Sequence, residues 1–211
     1  MGRSEDDLER LKTHLRALSV SLPELIGGVR ERTAVDPDKE RERLAAFATY
    51  LDQYSQGAGP ILDALDLRAV LEGSVALART EIEPKARVHT SYLSAPLVWG
   101  QARQLGQVFI SLLINAAQAL PEGAPDQNHV SVELDTAEAG WARVKIFDTG
   151  SGISEELLPH IFEPLFSTKR GAGMGIGLAI VREVVQQFGG RVSVESQVGT
   201  GTMFTVELPP V

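Results

Sequence analysis

From residue 87 to the end of the chain, segments that alternate at every second position are interleaved with segments of helical period, and the order of the two kinds restricts the fold severely. RVHTSYL (87–93), HVSVEL (129–134), ARVKIF (142–147), RVSVES and GTMFTVEL carry the strand period. Residues 101–120 and 177–188 carry the helical one, and Asp66 is placed to cap a further helix, LRAVLEGSVALAR. RVSVES and GTMFTVEL flank QVGTG and read as a hairpin. Strands that follow one another without a helix between them pair directly, so the helices are left to gather on one side. The expected architecture is α+β: a two-layer α/β sandwich of about 150 residues, one mixed sheet with helices on one face.

Upstream the pattern changes. Leu8, Leu11, Leu15, Leu18, Leu22, Leu25 and Val29 step by three and four residues, as a heptad seam requires. Pro23 interrupts that seam, and Asp36 with Pro37 offers a cap and first turn for a second helix striped by Leu44, Phe47, Leu51 and Tyr54. The run QGAGP at 56–60 ends it. Two such helices bury their stripes well only with a partner, so residues 1–59 are expected to be a helical hairpin forming a four-helix bundle in a homodimer, and residues 60–211 a separate domain. Packing of the hairpin on its own neighbouring domain is the alternative.

The totals exclude several classes. A net charge of −8 provides no basic field for nucleic acid or anionic lipid. The absence of cysteine removes thiol catalysis, thiolate metal sites and disulfides, and suits a reducing cytoplasm. No apolar run reaches membrane-spanning length, and the first residues lack the apolar centre of a secretion signal, so the chain is expected to be soluble and cytoplasmic. Those first residues have the look of an artificial start, with the natural protein extending upstream.

Three stretches carry possible chemistry. In LGQVFISLLINAAQAL (105–120), Ser111, Asn115 and Gln118 form a polar stripe at helical spacing, with Val108, Leu112, Ala116 and Ala119 on another side. Asn115 suits either a buried hydrogen bond or, through its amide oxygen, a magnesium ion that completes its shell with water and phosphate. In IFDTGSGI a strand delivers Asp148 to its end, where an acceptor-only carboxylate suits an exocyclic amine, and Gly150 and Gly152 permit close backbone approach to a planar ligand. Asp-Thr-Gly also makes plain turns and occurs in aspartic proteases, which need a second such motif that this chain lacks. In STKRGAGMGIGLAIV, Gly171, Gly173, Gly175 and Gly177 precede a helix whose free N–H groups could face polyphosphate, beside Lys169 and Arg170. Neither a Walker loop, with its Gly-Lys-Ser/Thr ending, nor a dinucleotide loop, which follows a strand, fits this stretch.

In order, LINAAQAL, DTGSGI, IFEPLFSTK and GMGIGLAIV resemble the N box, first glycine box, F box and second glycine box of the histidine-kinase ATP-binding domain. The likeness spans roughly residues 60–209 and implies a Bergerat-type ATP-binding fold, shared with type II topoisomerases, a heat-shock chaperone and mismatch-repair ATPases. It implies that Asn115 holds the Mg2+ that bridges the phosphates of ATP, that Asp148 recognises adenine, and that Gly150 and Gly152 shape the base pocket. Phe162 and Phe166 would anchor a lid that Gly173, Gly175 and Gly177 allow to close, with Lys169 as a helper. The implied activity is a two-component histidine kinase, passing the γ-phosphoryl of ATP to histidine and then to the aspartate of a response-regulator receiver domain.

The chain departs from the pattern in places. Ser111 stands where histidine kinases commonly have a second Asn and the ATP-hydrolysing relatives a Glu, and Gln118 where a basic residue is common. No His-Glu-x-x-x-Pro-Leu string marks a phosphoacceptor; His14, in THLRALS, is the candidate in the hairpin and lacks both the acid and the proline. The acceptor is then His14, lies upstream of this chain, or is absent. His89, His129 and His160 read as structural or exposed. A dimeric nucleotide-binding scaffold without phosphotransfer is the second reading, and a gyrase-like ATPase, opposed by the missing Glu, the third.

Overall fold

A computed structural model describes residues 62–123, 125–164, 166 and 175–211, all within one compact unit, Gly57–Val211. The expected helical hairpin over 1–59, His14, Lys169 and Gly173 lie outside the described residues.

Seven strands and three α-helices are described: β1 (Asp63–Leu65), α1 (Leu67–Ile82), β2 (Arg87–Tyr92), β3 (Val98–Gly100), α2 (Ala102–Ala119), β4 (His129–Thr136), β5 (Ala142–Asp148), α3 (Gly177–Gln187), β6 (Arg191–Gln197) and β7 (Gly201–Leu208). Five strands form the main sheet in the order β2-β4-β5-β7-β6; β2 runs parallel to β4, and the other neighbours are antiparallel. The expected mixed sheet and closing hairpin are therefore present. A separate two-stranded sheet, β1 with β3, is an addition to the sequence reading.

Local chemistry accounts for the element ends. Asp66 stands in extended backbone before α1, and its carboxylate accepts the Arg68 N–H at 2.9 Å, satisfying one donor that the first helical turn leaves open. Leu67, Leu71, Val75, Ala78 and Ile82 then bury one face of α1. Along α2, Leu105, Val108, Phe109, Leu112, Leu113, Ala116 and Ala117 follow steps of three and one, a stripe that lies wholly in the core. Full burial of each leucine, valine or phenylalanine there contributes about 1.5–3 kcal/mol, enough for α2 to carry a row of polar side chains along its margin.

The strands alternate sharply. On β4 and β5, Val130, Val132, Leu134, Val144 and Ile146 are buried on the helix side, together with Phe204 and Val206 of β7. The other face is wetter: Arg143 donates to both carboxylate oxygens of its cross-strand partner Asp135, at 2.8 and 2.7 Å, which holds that carboxyl below its usual range. Helices on one face and a hydrated opposite face define the two layers. The site lies where α2, the end of β5 and the start of α3 converge.

Candidate nucleotide site

α2 offers its C-terminal half to a cavity of about 510 Å³, within the range of small-ligand pockets. Gln107, Ser111, Asn115 and Gln118 line it, spaced so that one helix margin carries all four. Ile110 and Ile114 sit beside them and make the same wall partly apolar. Asn115 is half-buried, and its Nδ2 is enclosed without a hydrogen-bond partner among the described residues. Such a group is costly to leave unmet, by about 1–3 kcal/mol, and its place on a cavity wall is what a ligand-binding amide requires.

Asp148 ends β5 at the opposite side of the cavity, only 3% exposed. Its Oδ1 accepts the Gly150 N–H at 2.8 Å, and the Ser151 N–H donates to the Ala119 carbonyl at 3.0 Å, so the loop after β5 is fastened to the last turn of α2. That fastening explains Gly150. A Cβ there would fall 2.7 Å from both the carbonyl carbon and Cβ of Ala119. Gly152 answers to a different demand: its φ of +69° favours glycine, and a Cβ would collide with the backbone of Gln197 and Val198. Both glycines are required by the protein's own packing, and through it they hold Asp148 in place.

Gly177 is different in kind. A Cβ there would meet only Ser111 among the described residues, at an ordinary 4.0 Å, and its backbone has no positive φ. Nothing in the described chain forbids a side chain at this position, yet it lines the cavity at the start of α3. The contrast gives a paired expectation. Gly150→Ala lowers the thermal unfolding midpoint, by an amount equivalent to about 1–3 kcal/mol of overpacking. Gly177→Ala leaves that midpoint near the parent's but weakens binding of a phosphate-bearing ligand. Parallel melting and titration of the two variants check both; equal destabilisation would contradict the distinction.

The sequence pattern described as histidine kinase-, DNA gyrase B-, and HSP90-like ATPase matches residues 100–211, more than half of the chain. The chain belongs to this ATPase family. Two-component sensor PprA of Pseudomonas aeruginosa is 35% identical over 184 residues, which cover 82% of this chain and 19% of PprA. The mycobacterial sensor histidine kinase MprB superposes with a TM-score of 0.63 at 28% identity, covering 72% of this chain and 100% of that one. Full-length ShkA, solved in complex with AMPPNP, matches with a TM-score of 0.62 at 26% identity, over 71% of this chain and 31% of ShkA. The chain spans 19% of the length of PprA and 38% of that of sensor histidine kinase ZraS of Escherichia coli.

Within this ATPase-family fold, Asn115, Asp148, Gly152, Phe166, Gly175 and Gly177 line the one cavity, as the motifs lead one to expect of neighbours in space. Phe162 does not line it. Its ring meets Phe204 edge-on at 6.3 Å between centroids, and the Arg182 guanidinium of α3 lies 5.9 Å from it, so it packs its segment against the core. Phe166, by contrast, reaches the cavity itself.

Thr202 is a lining residue that motif reading passed over. It pairs in register with Asp148 across β5 and β7, is 2% exposed, and its hydroxyl is engaged with Ser196 Oγ at 2.9 Å. The available signal was a threonine facing inward at the start of GTMFTVEL, one residue past the hairpin turn. A shallower hollow on the outer sheet face, lined by His89, His129, Glu133 and Phe147 among others, has no comparable enclosure, and no three His, Asp or Glu among the described residues are placed to hold a metal ion.

Proposed function

We propose that residues 60–211 form the ATP-binding catalytic domain of a sensor histidine kinase, and that residues 1–59 form the helical hairpin through which two copies dimerise. The observation that carries this reading is the cavity itself: a buried carboxylate at one end, an unmet amide midway, and a glycine at the start of a helix at the other. Asp148 accepts the exocyclic amine of adenine, a hydrogen bond strengthened by burial and charge. Asn115 would hold Mg2+ through its amide oxygen, as one of the few protein ligands such an ion needs beside water and phosphate. The ion, when bound, neutralises charge on the β- and γ-phosphates. Lys169 adds positive charge from the lid, and Gly173 and Gly175 let the lid fold over the phosphates.

The reaction is a phosphoryl transfer governed by positioning. A nitrogen lone pair of the acceptor imidazole forms the N–P bond as the bond from the γ-phosphorus to its bridging oxygen breaks; ADP leaves with that electron pair, and the ring proton passes to solvent. The phosphoryl then moves to an aspartate of a response-regulator receiver domain. Asp148 is the one ionisable side chain among the described lining residues, and it stands at the end assigned to the base, so none of the described lining residues offers a carboxylate at the γ-phosphate to activate water. That favours transfer over hydrolysis. No described helix is long and apolar enough to cross a membrane, and a cytoplasmic setting follows from the partner assigned.

A second reading, a dimeric nucleotide-binding scaffold without transfer, is favoured by Ser111 and by the missing acceptor motif around His14. Incubation with γ-labelled ATP and Mg2+ separates the two. The kinase reading expects acid-labile, base-stable label, either on this chain and lost in His14→Ala, or on an added dimerisation helix that carries a histidine. Nucleotide binding with label on neither favours the scaffold.

A further inference from the structure

We propose that Ser111 is a specificity-determining residue: its hydroxyl donates to the terminal phosphate of the bound nucleotide and lets the site distinguish a triphosphate from a diphosphate. The inference rests on the nucleotide reading above and extends it to a residue at which the chain departs from the family pattern.

The polar margin of α2 has a direction. At its C-terminal end Ala119 abuts the loop that carries Asp148, with the Ser151 N–H bound to its carbonyl. Toward the other end Ser111 lies beside Gly177, its Cβ and Oγ each 4.0 Å from where a Cβ on that glycine would stand. Eight residues of helix separate Ala119 from Ser111, about 12 Å at 1.5 Å per residue. A nucleotide whose base rests on Asp148 must therefore lay its phosphates along this margin, past Asn115, with the last of them nearest Ser111 and the start of α3.

The Ser111 hydroxyl is also unspent. Serine within a helix commonly returns its proton to the carbonyl four residues earlier, and Ser74 does so to Val70 at 2.8 Å. The Ser111 hydroxyl makes no hydrogen bond to any described residue, although Ser111 lines the cavity and is half-buried. At the base end, in contrast, Thr202 is tied to Ser196. Because Asp148 is the one ionisable lining residue described, the α2 wall must read phosphate through neutral donors. A hydroxyl can donate there without serving as a base toward water, so the terminal phosphate is held and not hydrolysed.

The test uses the whole 211-residue chain with Ser111→Ala and Ser111→Thr, melted to verify folding and titrated separately with Mg-ATP and Mg-ADP. Ser111→Ala is expected to weaken Mg-ATP binding by about tenfold or more, the worth of one hydrogen bond to a charged group, while Mg-ADP changes by less than about twofold. Ser111→Thr, which keeps the hydroxyl, restores most of the preference. Equal losses for both nucleotides in Ser111→Ala, no change in either, or a Ser111→Thr variant that melts like the parent but binds like the alanine would overturn the assignment. A parent chain that binds neither nucleotide would instead sink the underlying nucleotide reading, a different failure with a different signature.

Discussion

Asp148→Asn weakens ATP binding by at least about tenfold, or roughly 1.4 kcal/mol. The size follows from what the substitution changes and what it spares. The asparagine oxygen can still accept the Gly150 N–H, which Asp148 holds at 2.8 Å, so the loop after β5 and its fastening to Ala119 stay in place. The other arm, however, becomes an N–H donor in a position 3% exposed to solvent, where the carboxylate could only accept. Donor then faces donor across the adenine amine, and a charge-assisted bond is replaced by a repulsive contact. The thermal midpoint of the variant separates this from a folding defect: unchanged melting with lost affinity is the expected pair, and unchanged affinity would remove Asp148 from the site.

Asn115→Ala has the second large effect, and its sign on stability is unusual. In the parent, Mg2+ is expected to tighten ATP binding by about tenfold or more; in the variant the ratio of affinities with and without the metal falls to about one. The fold should not suffer. The Asn115 Nδ2 is buried without a partner among the described residues, and deleting such a group removes a desolvation penalty of about 1–3 kcal/mol that offsets the lost side-chain packing. A midpoint equal to or above the parent's is therefore expected. A parent whose ATP affinity is the same in magnesium and in chelator would contradict the role given to Asn115.

Much of this is legible in the sequence, because the signals are local. Asp66 caps α1 as its position implies, and α2 runs Ala102–Ala119 where the apolar period runs. The elements that escaped notice were short and non-local. β1 and β3 have three residues each, DAL and VWG, too few for a period of two to register, and they exist by pairing with one another across the whole of α1. Thr202 escaped for a similar reason: it joins the cavity through the register of β5 with β7, a relation between strands and not a motif within either.

The glycines show another limit. A string of letters treats Gly150, Gly152 and Gly177 alike, whereas space separates them into one excluded by a neighbouring helix, one set by a left-handed φ, and one that the described chain leaves unconstrained. Phe162 and Phe166 divide likewise. They share a motif, but one ring packs on Phe204 in the core and the other borders the cavity. Periodicity reports which face a residue is on, and close approach between distant segments has no counterpart in it.

Titration of Mg-ATP into the parent chain by calorimetry tests the central claim most directly, that this cavity is a nucleotide site. The expected result is one saturable site whose heat disappears in Asp148→Asn while both proteins melt alike. A folded parent that gives no saturable heat at millimolar Mg-ATP would contradict it.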